Sequence, residues 1–141
     1  MNLKLKHLAP YLPYGLIYKR KKGGMEFELS PVNITHVLNS PGSVDILLRP
    51  LSDLTKEIEY NGEKFVPFII IFENNIYVNT ADVRAKAIGY VLDGETNWIT
   101  QYNGTLNPNC GYWIVEKLFE WHFDVFNLIE KGLAIKKIKN D

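Results

Sequence analysis

Residues 112–131 read Tyr112-Trp113-Ile114-Val115-Glu116-Lys117-Leu118-Phe119-Glu120-Trp121-His122-Phe123-Asp124-Val125-Phe126-Asn127-Leu128-Ile129-Glu130-Lys131. Ile114, Leu118, Trp121, His122, Val125 and Ile129 recur at helical spacing on one face, with Lys117, Glu120, Asp124, Asn127 and Lys131 opposite. Val115, Phe119 and Phe126 widen the apolar arc beyond a coiled-coil seam, which suits a helix laid against a sheet. Gly132 offers a left-handed stop, and Lys131 suits the negative end of the helix dipole. The pattern predicts one long amphipathic helix from Tyr112 to Lys131, and the rest of the chain must supply the sheet it covers.

Upstream, Leu16 to Lys19 and Met25 to Leu29 suit strands, and Lys21-Lys22-Gly23-Gly24 between them makes a hairpin turn, since glycine tolerates positive φ. Glu57-Ile58-Glu59-Tyr60 and Glu63-Lys64-Phe65-Val66 alternate around Asn61-Gly62, the dipeptide best fitted to a type I′ turn. The run Phe68-Ile69-Ile70-Ile71-Phe72, the turn Asn74-Asn75 and Ile76-Tyr77-Val78 read as a further hairpin, β-branched enough for a central strand. Leu133 to Ile138 suits an edge strand whose lysines discourage further pairing. Ser52 is an N-cap for a short helix, Asp53 to Lys56. The prolines of Ala9 to Gly15 impose an extended or turn-like lead-in whose tyrosines pack on the body. Two stretches stay open between helix and strand: Val32 to Leu48, and Ala81 to Leu92, where Thr80 could cap a helix although Ile88, Tyr90 and Leu92 alternate. Trp98 to Tyr102 is strand-like, and Asn103 to Gly111 reads as a polar loop. The expected fold is α+β, an antiparallel sheet built of hairpins packed against a long C-terminal amphipathic helix, with residues 1–141 as a single domain.

Composition bounds the function. Sixteen basic and sixteen acidic side chains cancel, so no global field gathers a polyanion or an anionic membrane, and any nucleic-acid contact must be local. Cys110 is the one cysteine and cannot form an internal disulfide, which points to a reducing, cytoplasmic compartment. Lys4, Lys6, His7, Pro10 and Pro13 interrupt the N-terminus against a signal peptide, and the run from Val66 to Phe72 is far shorter than the roughly 20 residues of a membrane span. Asn33-Ile34-Thr35 and Asn103-Gly104-Thr105 match a glycosylation triplet by chance in that compartment.

His7, His36 and His122 are isolated from one another and from Cys110, so no metal site is expected. No phosphate-cradling loop, dinucleotide fingerprint or nucleophile elbow occurs, and neither an enzyme nor a cofactor is expected. His122 lies mid-face on the expected helix, where a core histidine with one satisfied ring nitrogen is the better account than a general base. Glu57, Glu59 and Glu63 around the Asn61-Gly62 turn suit a solvated strand face better than an acid–base pair.

One dense charge cluster remains, Lys19-Arg20-Lys21-Lys22, with Tyr18 beside it. At a hairpin tip, Tyr18, Lys19, Arg20, Lys21 and Lys22 are candidate contacts for a macromolecule, although a solvated turn would carry the same residues.

Three segments carry a resemblance: His7-Leu8-Ala9-Pro10-Tyr11-Leu12-Pro13-Tyr14-Gly15-Leu16; Leu48-Arg49-Pro50-Leu51-Ser52-Asp53-Leu54-Thr55 through Asn61-Gly62-Glu63-Lys64-Phe65-Val66-Pro67; and Val115-Glu116-Lys117-Leu118-Phe119-Glu120-Trp121-His122-Phe123-Asp124-Val125-Phe126 through Gly132-Leu133-Ala134-Ile135. Together, over about half the chain, they resemble small, uncharacterised proteins encoded by phages and prophages of Bacteroidetes, with Phe68 to Cys110 as the divergent part. The resemblance implies a viral protein acting in the bacterial cytoplasm and brings no site residues with it. The function expected is a non-enzymatic accessory protein that binds a host or phage protein, a ribonucleoprotein among them, through either the Phe68 to Cys110 region or the basic hairpin tip, and inhibits host defence as anti-CRISPR proteins do. The alternative is a nucleic-acid-binding module for phage replication or packaging. No membrane partner is expected, and an exposed apolar arc on the C-terminal helix would close a homodimer.

Overall fold

The computed structural model describes residues 3–75 and 111–137. In chain order they form α1 (Leu5–Leu8), a 3₁₀ turn (Ala9–Tyr14), β1 (Ile17–Arg20), β2 (Glu26–Glu28), α2 (Ile34–Asn39), a 3₁₀ turn (Pro41–Ser43) and β3 (Val44–Leu48). A further 3₁₀ turn (Leu51–Thr55), β4 (Ile58–Tyr60), β5 (Glu63–Phe65), α3 (Pro67–Asn75), α4 (Tyr112–Glu120) and β6 (Ile135–Lys136) follow. The chain divides into two compact units, one of Met1–Pro50 with Val115–Lys137 and one of Leu51–Ile114 with Ile138–Asp141.

The first unit is built on a sheet of order β2-β1-β3-β6. The β1–β2 hairpin forms as its turn residues require: Gly23 and Gly24 stand at φ +87° and +70°, and the Arg20 N–H donates to the Met25 carbonyl. β3 lies antiparallel to β1, setting Tyr18 opposite Ile46, Lys19 opposite Asp45 and Arg20 opposite Val44. The ambiguous Val32 to Leu48 stretch resolves into a helix and then a strand. Across the turn that leads into α2, Ser30 and Asn33 exchange side-chain-to-backbone bonds and Ile34 donates to the Ser30 carbonyl. Tyr18, Val44, Ile46, Leu48, Leu16 and Leu29 meet Leu8, Tyr11, Ile34, Val37, Leu128 and Ala134 in the core.

Two features of the expected fold are corrected. The sheet is mixed, because β6 pairs with β3 in parallel, Leu47 opposite Ile135. A parallel neighbour needs a long crossover, and the whole stretch from Arg49 to Ala134 provides it. The long C-terminal helix is also absent: α4 has nine residues, from Tyr112 to Glu120. His122 takes the left-handed conformation at φ +62°, its N–H donates to the Phe119 carbonyl at 3.1 Å, and the Phe123 N–H donates to Leu118 at 2.8 Å. That pair of bonds is a Schellman closure with histidine where glycine usually stands. The same closure recurs at Gly132, φ +75°, with Gly132 donating to Ile129 at 3.1 Å and Leu133 to Leu128 at 2.9 Å. The apolar spacing runs unbroken across residues 112–131, yet the helix ends at Glu120 and residues 125–132 are a run of turns, closed at Gly132 by the same pair of bonds.

In the second unit β4 and β5 pair antiparallel, Tyr60 opposite Glu63, around Asn61 and Gly62 at φ +51° and +80°. Both signs match the type I′ turn read from the sequence. The hairpin expected from Phe68 is overturned, because Pro67–Asn75 is a helix. A short apolar run satisfies strand and helix alike, and Pro67 at the first helical position, with the Val66 carbonyl accepting from Ile69 at 3.1 Å, decides for the helix. The short helix expected over Asp53 to Lys56 is the 3₁₀ turn Leu51–Thr55. Leu51, Leu54, Ile58, Phe68, Ile71 and Ile114 are buried. The expectations for Ile76 to Val78, Ala81 to Leu92, Trp98 to Tyr102 and Asn103 to Cys110 lie outside the described residues.

Candidate functional site

The run of four cations divides once it is folded. Strand alternation sends Tyr18 and Arg20 to one face of β1 and Lys19 to the other. Tyr18 is only 3% exposed and stacks on Phe27, ring centroids 5.6 Å apart, so its face is unavailable to a base. The Arg20 guanidinium lies over the far part of that stack, 5.0 Å from the Phe27 ring centre. Lys19 stands between two carboxylates, with Glu26 opposite it on β2 and Asp45 opposite it on β3. Lys21 reaches the same Asp45 at 3.8 Å. Arg20, Lys21 and Lys22 are exposed at the tip. Beside them Met25 is 63% exposed, a large apolar side chain at the head of a fixed turn, and the sequence reading missed it. Its position one residue past the Gly23-Gly24 turn was the available signal.

The second group of interest gathers where the end of β3 meets the segment after α4. Arg49 is buried; its backbone N–H donates to the His122 carbonyl and its own carbonyl accepts from Asp124, both at 2.8 Å. Its side-chain Nε donates to the Trp121 carbonyl at 3.0 Å. The Tyr11 hydroxyl donates to the Phe123 carbonyl and accepts from the Val125 N–H at 3.2 Å. Asp124 is buried as well, and its two carboxylate oxygens accept from the Leu128 and Ile129 N–H groups at 2.7 and 2.9 Å, bracing the turns that lead to Gly132. His122, 6% exposed, holds the Tyr14 carbonyl at 2.6 Å through Nε2.

Burial governs the protonation of this group. It drives the His122 imidazole down to about 4, against the pull of the Tyr14 carbonyl and with the help of Lys137 and Arg49. The ring is therefore neutral near pH 7, and Nε2 is the N–H that Tyr14 accepts. Burial raises Asp124 above the usual carboxylate range, opposed by the Ile129 and Leu128 N–H groups. The Tyr11 hydroxyl is held well above its usual range, again mainly by burial. These bonds from Arg49, Tyr11, Asp124 and His122 side chains all run to backbone groups, and they tie three segments of the chain together. His122 matches the core histidine expected of it.

The remaining candidates are dispersed. His36 is exposed on α2, while His7 on α1 accepts the Lys4 N–H at 3.0 Å. Glu57 and Glu63 are exposed and Glu59 is half-buried at the β4–β5 hairpin. Among the described residues no three His, Cys, Asp or Glu side chains gather as they would around a metal ion, and no helix is long and apolar enough to cross a membrane. No protein-family model, curated protein or solved structure matches the chain.

Proposed function

We propose that the chain is a non-enzymatic binding protein that holds a protein partner through the tip of the β1–β2 hairpin. The observation that carries the reading is an exposed apolar side chain among cations on a preset turn: Met25 at 63% exposure, with Arg20 and Lys22 exposed beside it. Methionine adapts to the surface it meets, arginine is a frequent anchor of interfaces, and a turn fixed by two left-handed glycines loses little freedom on binding. The resemblance to phage proteins makes the partner a host or phage macromolecule of the bacterial cytoplasm, with a host defence complex as the first choice.

Tagged chain in a lysate of phage-infected cells tests this, at low and moderate salt and with and without nuclease. The expected result is recovery of one protein complex, indifferent to nuclease and lost with the Lys22→Glu/Met25→Asp variant. Recovery of nucleic acid alone, vanishing as salt rises, would refute it in favour of a nucleic-acid module. Recovery that ignores the variant would move the contact off the hairpin.

A further inference from the structure

The cations of the hairpin carry their counter-charges with them, and strand register decides which cations are covered. Across the face opposite Tyr18 the residues Glu26, Lys19 and Asp45 form one row over β2, β1 and β3, since Glu26 pairs with Lys19 and Lys19 with Asp45. Side chains paired in this way have Cβ atoms roughly 5 Å apart, close enough for opposite charges to attract and for a carboxylate to oppose a phosphate brought to its neighbour. Asp45 makes an ion pair with Lys21 at 3.8 Å. Lys21 thus has an ion-pair partner and Lys19 has a carboxylate opposite it on either side in the strand register, whereas Arg20 faces Val44 on β3 and Lys22 lies in the turn beyond the paired residues.

We infer that Glu26 and Asp45 are specificity-determining residues that keep nucleic acid off the hairpin and reserve it for a protein surface. The inference rests on the tip being the contact surface. Affinity for duplex DNA grows with the number of phosphates neutralised, each adding about 0.9 to the slope of log K against log salt, so two cations give weak binding and four give appreciably more. A protein partner with an acidic rim loses little to the two carboxylates, because it can orient its charges toward Arg20 and Lys22 and its apolar part toward Met25. Discrimination of this kind works by building repulsion against the unwanted partner.

The test uses purified full-length chain and a short fluorescein-labelled DNA duplex, with anisotropy read between about 50 and 200 mM salt. The Glu26→Gln/Asp45→Asn variant should bind at least about tenfold more tightly than the unaltered chain at the low-salt end, with a salt slope steeper by about 2. Glu26→Gln alone, at an exposed position, should steepen it by about 1 and keeps the test open if the double variant folds poorly. Glu57→Gln/Glu63→Gln changes net charge by the same amount on the β4–β5 hairpin and should leave the slope unchanged. An equal gain from that control, or no gain from either variant, overturns the inference. The lysate experiment is independent of this one: a captured protein together with an unchanged DNA slope keeps the binding function and removes only the filter.

Discussion

Acidification should loosen the first unit, and His122 sets the amount. In the folded chain its imidazole titrates at about 4, against 6.5 for an ordinary histidine. A histidine whose folded value is depressed contributes stability that is full above the unfolded value and is lost as pH falls through the folded one, so the window runs from about 6.5 down to about 4. With about 1.36 kcal/mol for each pH unit of difference, the loss reaches about 3 kcal/mol by pH 4. That is a large share of the 5–15 kcal/mol that about any domain has to spend. His7 is depressed as well and adds in the same direction. Asp124 is raised and works in the opposite sense, since its contribution is present below the unfolded carboxylate value and fades as pH rises through the folded one. A comparison variant isolates the histidine. His122→Asn keeps a residue that tolerates the left-handed backbone and cannot titrate. Urea unfolding followed by circular dichroism from pH 8 to pH 4 should show the stability gap between the native chain and the variant narrowing by about 3 kcal/mol over the window. Parallel pH profiles would refute the assignment of the acid limb to His122.

Two further changes probe the same region. Tyr11→Phe removes the hydroxyl that serves both the Phe123 carbonyl and the Val125 N–H, which keep only the 3.0 Å bond between themselves; it should cost about 1–3 kcal/mol in urea unfolding and speed hydrogen exchange at the Val125 amide, and protection unchanged there would contradict the contact. Gly132→Ala puts a Cβ at φ +75° with nothing nearby to clash, so its cost should be the backbone strain alone, about 1–2 kcal/mol in the same assay, with a loss well above that pointing to a packing role not seen here.

Turn chemistry was the most legible part of the sequence. Asn61-Gly62 and Gly23-Gly24 announce their hairpins because few residues accept positive φ at so little cost, and Gly132 announces a stop for the same reason. The break at His122 was hidden because histidine there occupies a glycine's position, held by the Tyr14 carbonyl and by Arg49, and neither partner is near it in sequence. Phe68 to Phe72 misled because an apolar run carries no period of its own, and the single residue that decided it, Pro67, stands just outside the run. At the hairpin the five candidate residues were visible as a list. Their division into a buried ring, a covered lysine and an exposed tip depends on which strand pairs on each side of β1, and that register is fixed by β3, more than twenty residues away.

The parallel pairing of β3 with β6 also has a meaning for how the chain comes off the ribosome. The strand at Val44–Leu48 meets its last neighbour only when Ile135–Lys136 emerges, so the first unit waits through the synthesis of all of residues 51–114 before its sheet can be completed. Holding such ends together grows costlier only with the logarithm of the intervening length, about 0.6 kcal/mol for each doubling. The interposed segment is therefore free to lengthen or shorten at little thermodynamic expense to the sheet.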